Sequence, residues 1–195
     1  MIMAVLKITE LELPGVKIIE PTYFEDFRGY YCETYSSRTM AQYGLNPVFI
    51  QDNHSFSLKK GTIRGIHFQN NPHPQLKLVR CVRGRVMDYA VDLRKDSPTF
   101  KKWVATELSA ENRKQIWIPS GFGHAFITLE DNCEVQYKVD EWYYPEFDRA
   151  IRFDDPEIGI DWGMPKEVMI YSEKDTVAPL LADSDVNFTM KENKG

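Results

Sequence analysis

The chain has 195 residues, 43% of them apolar, 13% aromatic and 27% charged, which fits one globular domain able to bury a sizeable core. Its formal net charge of −5 argues against generic binding of nucleic acid, because neutralising many phosphates needs a concentrated excess of Lys and Arg. No apolar stretch approaches the roughly 20 residues of a membrane span, and the opening segment carries Lys7 and Glu10 where a secretory core is uninterrupted, so a soluble cytoplasmic protein is expected.

From the N-terminus onward, short runs rich in Val, Ile, Tyr, Phe and Thr between turn residues predict an antiparallel β architecture. Strands are expected at Val16–Ile19, Gly29–Tyr35, Pro47–Gln51 and Gly61–Phe68, then at Lys77–Val82, Arg85–Leu93 and Lys101–Leu108. Three more follow at Gln115–Ile118, His124–Leu129 and Cys133–Val139. Ser36–Leu45 predicts a short helix, opened by Ser36 or Ser37 as cap and closed by Gly44. Arg83-Gly84 joins two strands by a two-residue link, and a tight hairpin is the simplest reading. Ser109-Ala-Glu-Asn112 reads as a helical turn capped by Ser109, the tail after Trp162 as irregular, and the polar end Lys191–Gly195 as mobile. With no linker or internal repeat, the expectation is a single sandwich or jelly roll over residues 1–195.

Along Arg85–Leu93, Met87, Tyr89, Val91 and Leu93 share one face, while Val86, Asp88, Ala90 and Asp92 share the other. Alternation leaves open whether the Asp88 face lines a polar cavity or meets solvent. Cys32, Cys81 and Cys133 are too scattered for a disulfide framework and read as small buried hydrophobes.

Several chemistries are excluded. The sequence has no phosphate-binding Gly-x-x-x-x-Gly-Lys-Ser/Thr loop, no dinucleotide fingerprint around Gly121-Phe-Gly123 and no Gly-x-Ser-x-Gly elbow. A metal site of the His-x-His type is broken, because His67-Phe68-Gln69 carries Gln where the second His belongs, and His73 lies in a Pro-flanked loop.

The remaining chemical signal centres on Arg64-Gly65-Ile66-His67. Residues three apart on a flat strand face opposite ways, but a bulge or bend at Gly65 would bring Arg64 and His67 together. Lys77 shares a face with Val79 and Cys81, His124 follows a Gly-Phe-Gly turn, and Tyr137 shares a face with Cys133, Val135 and Val139. Taken singly, Arg64 and His67 read more readily as a surface arginine and a satisfied histidine, and Tyr137 as a core tyrosine.

As an ordered set, the motifs resemble the family of dTDP-4-dehydrorhamnose 3,5-epimerases from about Gly15 to Asp183. The matching residues include Phe24-x-Asp26-x-Arg28-Gly29 with Glu33, Gln51-Asp52-Asn53-His54-Ser55, Arg64-Gly65-Ile66-His67-Phe68-Gln69 and Lys77-Leu-Val-Arg80. Further on are Val91-Asp92-Leu-Arg94, Leu108-Ser-Ala-Glu-Asn112, Trp117-Ile-Pro119, Gly121-Phe-Gly-His124, Tyr137-Lys138, the Asp154-to-Trp162 segment and Ser172-Glu-Lys-Asp175. The resemblance implies an all-β, double-stranded β-helix jelly roll of the cupin superfamily with a few short helices. It also implies a homodimer that uses neither metal nor redox cofactor.

The same resemblance assigns roles. His67 is the base, Asp175 the carboxylate on its other ring nitrogen, Tyr137 the acid and Lys77 the cation facing an enolate oxygen, with Arg64 and His124 lining the same pocket. Arg28 and Glu33 become nucleotide ligands carried across the dimer by an N-terminal segment, and Phe24 and Tyr143 flat surfaces for thymine. Gln51, Asp52, Asn53 and Lys174 resemble substrate contacts, as does Asp148, which stands where the family often has Glu. Leu76 in place of Gly, and the Asn70–Pro74 loop, depart from the pattern at the pocket rim. The implied reaction is inversion of C3 and C5 in dTDP-4-dehydro-6-deoxy-D-glucose, on the route to dTDP-L-rhamnose for surface polysaccharide. The alternatives are an epimerase of one centre on another nucleotide-linked 4-keto sugar, a metal-dependent cupin enzyme and a non-catalytic sugar-nucleotide binding module.

Overall fold

The computed structural model describes residues 5–190, so the Lys191–Gly195 end lies outside the described residues. The N-terminal part runs β1 (Leu6–Glu10), β2 (Lys17–Pro21), β3 (Tyr23–Asp26), β4 (Gly29–Cys32) and helix α1 (Ser37–Gln42). The central strands are β5 (Gln51–Ser57), β6 (Ile63–Gln69), β7 (Lys77–Arg83), β8 (Arg85–Asp92) and β9 (Trp103–Ser109). Then come β10 (Gln115–Ile118), β11 (Phe122–Thr128), β12 (Cys133–Val139), β13 (Asp148–Ala150) and the short helix α2 (Glu173–Val177).

These strands form two antiparallel sheets, ordered β1-β2-β10-β7-β12-β5 and β13-β6-β11-β8-β9, with β3-β4 a separate two-stranded hairpin. From β5 to β13 the chain changes sheet at every step except β8 to β9, the winding of a double-stranded β-helix jelly roll. The hairpin expected at Arg83-Gly84 is therefore not a paired hairpin, because β7 and β8 belong to different sheets. Gly84 (φ 72°) turns a corner there, and a Cβ on it would lie 2.7 Å from the Cys133 sulfur.

Other expectations shift at their edges. The predicted Pro47–Gln51 strand begins only at Gln51, and the predicted Gly29–Tyr35 strand stops at Cys32. The sequence reading had no place for β1, β3 or β13, short edge elements defined by their partners rather than by their own patterning. Ser36 does cap α1, accepting from the Thr39 amide, and the Ser109 turn closes with reciprocal bonds between Ser109 and Asn112. The tail after Trp162 contains α2, whose sequence signal is a capping box between Ser172 and Asp175.

Burial explains the patterns. The face of β8 bearing Val86, Asp88 and Ala90 points between the sheets, where Val79, Ile116, Phe126 and Val135 also pack, so its solvent reading is overturned. The opposite face, with Tyr89, Val91 and Leu93, is covered by C-terminal residues including Phe153, Trp162 and Phe188, which leaves the smaller sheet apolar on both sides. A third cluster seals the outside of the larger sheet, where Met40 of α1 packs with Ile19, Leu78 and Trp117. Asp92 is buried because it anchors a loop, taking Arg94 in two-pronged fashion along with Ser97 and Thr99. Cys81 and Cys133 are buried as expected, whereas Cys32 is half-buried. No described helix is long and apolar enough to cross a membrane.

One irregularity positions the site. On β11 His124 pairs with His67 and Phe126 pairs with Arg64, so two steps on one strand face three on the other and β6 carries an extra residue at Gly65–Ile66. Gly65 adopts φ 135°, and a Cβ there would sit 2.6 Å from the Ala125 Cα and 2.8 Å from the His124 carbonyl oxygen. Gly65→Ala is expected to cost about 3 kcal/mol or more, from overpacking and a strained backbone. A urea titration of the variant checks this; a midpoint equal to wild type would show that the bulge can relax.

Candidate active site

The bulge lets Arg64 and His67 project into one pocket of about 410 Å³ between the sheets, open at one end. The larger sheet brings Gln51, Asn53 and Ser55 from β5, Lys77 from β7 and Tyr137 from β12. Tyr137 lies opposite both Asn53 and Val79 in the ladder. The smaller sheet contributes His124 and Phe126 from β11, and Tyr143, Asp148 and Lys174 stand at the rim.

His67 is held from outside the sheets. Its Nε2 lies 3.0 Å from Asp175 Oδ1, with the imidazole side chain 34% exposed and the carboxylate 4%. The other oxygen, Oδ2, accepts from the Ser172 hydroxyl at 2.7 Å and the Ser172 amide at 3.2 Å, and Ser172 Oγ accepts from the Asp175 amide at 3.3 Å, the two amide bonds forming the capping box of α2. One carboxylate thus closes a helix end and orients an imidazole. Burial would push the Asp175 carboxyl up, but its bonds to His67 and Ser172 outweigh that and hold it below its ordinary value.

A second imidazole–carboxylate pair lies on the floor, where His124 Nε2 approaches the two Asp88 oxygens at 3.1 and 2.9 Å. Burial pushes the His124 imidazole down against the pull of Asp88, and pushes the Asp88 carboxyl up. Above them the Lys77 ammonium, 8% exposed, lies 5.8 Å from the centre of the Tyr137 ring and has no ion-pair partner among the described residues. Burial lowers its pKa from 10.5 to about 8, against the opposing pull of Asp148 and Asp88. Burial likewise raises the Tyr137 phenol, opposed by Arg64. Arg64 is steadied by the Ser57 hydroxyl at 3.2 Å and the Phe56 carbonyl at 3.0 Å. At the rim Asp148 Oδ2 accepts from Lys174 Nζ at 2.8 Å and from the Tyr143 hydroxyl at 3.3 Å.

Not every expected residue converges. Strand alternation turns Asp52 to the other side of β5, where it pairs with Lys138 Nζ at 2.7 Å, and turns His54 toward Glu134 at 3.1 Å. Phe24, Arg28 and Glu33 also stay away from the pocket of their own chain. Phe24 and Arg28 line a shallow surface on the β3-β4 hairpin, where Arg28 pairs with Asp26, while Glu33 accepts from the Thr39 hydroxyl. His73 is a loop residue, stacked on Tyr144 at 3.8 Å. Sequence reasoning missed Gln75 as a liner and Asp88 as the partner of His124. Ser55 was recoverable, since it alternates with Gln51 and Asn53. Gln69 is spent on backbone groups, donating to the carbonyls of His73 and Trp142 and accepting from the Tyr144 amide.

The pocket thus combines a carboxylate-bound imidazole, a phenol and a desolvated ammonium, the parts needed to move a proton beside a carbonyl. The family model described as dTDP-4-dehydrorhamnose 3,5-epimerase matches residues 10–183. The chain belongs to the dTDP-4-dehydrorhamnose 3,5-epimerase family. It is 47% identical over 174 residues to a dTDP-4-dehydrorhamnose 3,5-epimerase of Methanothermobacter thermautotrophicus, a match covering 89% of this chain and 93% of that one. Among solved structures it resembles the Bacillus anthracis dTDP-4-dehydrorhamnose 3,5-epimerase with TDP and PPi bound, at 43% identity and a TM-score of 0.87, covering 90% and 99% of the two chains. It likewise resembles the Legionella pneumophila 3,5-epimerase in complex with dTDP-4-keto-L-rhamnose, at 40% identity and a TM-score of 0.87, covering 93% and 95%. The protein is accordingly an isomerase of the jelly-roll epimerase type.

The buried Lys77 gives a stability signature. A lysine whose folded pKa lies below its unfolded one costs stability while both states are protonated, and that cost fades as pH rises from the folded to the unfolded value. A fall from 10.5 to about 8 corresponds to a penalty on the order of 3 kcal/mol. Lys77→Met is therefore expected to be more stable than wild type at pH 7, with the gap closing between about pH 8 and 10.5. Denaturant midpoints across that range check it; a gap that stays constant with pH would mean that the ammonium is well solvated.

Proposed function

We infer that this chain inverts C3 and C5 of dTDP-4-dehydro-6-deoxy-D-glucose, yielding dTDP-4-dehydro-β-L-rhamnose. The observation that carries the reading is the desolvated Lys77 ammonium, without an ion-pair partner among the described residues, beside Tyr137 in a pocket also lined by the Asp175-bound His67.

The 4-ketone acidifies the protons on both neighbouring carbons, because either loss gives an enolate. His67, with Nε2 engaged by Asp175, uses Nδ1 to take the proton, and the carboxylate stabilises the imidazolium that results. Lys77 faces the ketone oxygen and stabilises charge as it develops, an interaction strengthened by the low local dielectric. Tyr137 returns a proton to the opposite face of the ring; its raised pKa keeps the phenol protonated until an enolate is present. The exchange is redox-neutral, and each proton removed is replaced by one from the protein or solvent.

Arg64 and Lys174 take the diphosphate, assisted by Gln51 and Asn53, and Tyr143 offers a face to the base. His124 shapes the floor under the sugar. The β3-β4 hairpin acts in a partner subunit of a homodimer, bringing Phe24 and Arg28, and Glu33 just after it, to the nucleotide end of the other pocket. Supporting this, those residues do not reach their own pocket, and the hairpin exposes Phe27 (98%), Tyr30 and Tyr31.

Incubating enzyme and keto sugar in deuterium oxide tests reaction and regiochemistry together. Label is expected at both C3 and C5, and label at one carbon alone would reassign the enzyme as a single-centre epimerase. His67→Ala is expected to lower the exchange rate by roughly 10²–10⁴, the usual range for a positioned base, with nucleotide affinity retained. Exchange at the wild-type rate in that variant would remove His67 from the base role.

A further inference from the structure

Gln69 occupies the place where a metal-binding jelly roll would carry its second histidine, and nothing in the proton chemistry uses it. It lies two residues beyond His67 on the same face of β6, yet it does not line the pocket. It is 3% exposed. Its carboxamide donates to the His73 carbonyl at 2.5 Å and the Trp142 carbonyl at 2.9 Å, while its oxygen accepts from the Tyr144 amide at 2.8 Å. Both halves of the amide are therefore committed to two loops, residues 70–76 and residues 140–147.

Gln75 repeats the grip from the other loop. Its Nε2 donates to the Glu141 carbonyl at 3.0 Å and, more distantly, to the Trp142 carbonyl at 3.5 Å. The Leu76 amide donates to Asp140 Oδ1 at 2.7 Å, and the His73 ring stacks on Tyr144. Between these fixings stands Tyr143, 53% exposed, at the pocket rim. Its loop lies outside every strand, so these side-chain bonds do the work that a sheet ladder does elsewhere.

We propose that Gln69 and Gln75 are positioning residues for nucleotide affinity: their carboxamides clamp the Trp142 carbonyl and so hold the Tyr143 ring where the base of the substrate docks. The role of Tyr143 rests on the functional reading above; the clamp rests on geometry alone. Holding the loop in its binding shape before the ligand arrives spares the complex the cost of ordering it. Loss of the clamp should therefore weaken binding of every nucleotide-bearing ligand while leaving the chemistry at His67 less affected.

The test compares Gln69→Met, Gln75→Met and the double variant by calorimetric binding of dTDP, steady-state kinetics and amide hydrogen exchange over residues 140–147. Removing buried partners at Gln69 should raise the Kd for dTDP and the KM in parallel by about tenfold, with kcat changing less than threefold. Gln75→Met should act in the same direction by about threefold, and the double variant should fall short of the product because both amides share one carbonyl. Exchange should quicken at 141–144 in all three.

A folded Gln69→Met protein with unchanged dTDP affinity and unchanged loop exchange would overturn the clamp, as would a fall in kcat at constant KM. Should Gln69→Met fail to fold, unchanged exchange and affinity in Gln75→Met would overturn it equally. If the loop exchange quickens but the wild-type protein itself binds no dTDP, the clamp stands and the functional reading fails.

Discussion

The site depends on the contact between the backbone of Gly65 and that of β11. Because no side chain separates them, β6 can carry one extra residue against His124 and Ala125, and that extra residue reverses the sidedness of everything after it. Without it, Arg64 and His67 would point to opposite faces of the smaller sheet, one into the pocket and one into the apolar layer under the C-terminal segment. A methyl group at residue 65 thus bears on packing and chemistry at once.

A second constraint is electrostatic. The chain is acidic overall, with a net charge of −5, yet three cations, Arg64, Lys77 and Lys174, line the pocket against one carboxylate, Asp148. Asp88 and Asp175 stay behind the wall, each bonded to an imidazole rather than presented to the cavity. The arrangement lets a dianionic diphosphate approach while keeping carboxylates close enough to tune the imidazoles. The Lys77 ammonium is buried and has no ion-pair partner among the described residues, so its charge is left facing the cavity.

Much of this was legible in the sequence, and the failures have physical causes. The alternation in β8, the caps of α1 and the Ser109 turn, and the convergence of His67, Lys77 and Tyr137 follow from period, turn chemistry and motif order. The hairpin at Gly84 misled because a glycine between two strands looks the same whether the chain doubles back in one sheet or crosses to another. The facing of Asp52 was not legible because a matched segment carries no face, and only the pairing of β5 with β12 turns Asp52 outward and Asn53 inward. Phe24, Arg28 and Glu33 lie away from the pocket of their own chain, on and just after the β3-β4 hairpin, and motif order says nothing of that distance. Helix α2 was overlooked because five residues are too few for a helical period to be seen, although its Ser172/Asp175 cap was visible.

The link between His67 and Asp175 is long-range along the chain. The two residues are 108 positions apart, and Asp175 sits on one of the last described helices, α2. The orientation of the imidazole therefore depends on a docked turn far from it in sequence: whatever loosens residues 172–177 from the sheet frees the His67 ring while its own strand stays in place.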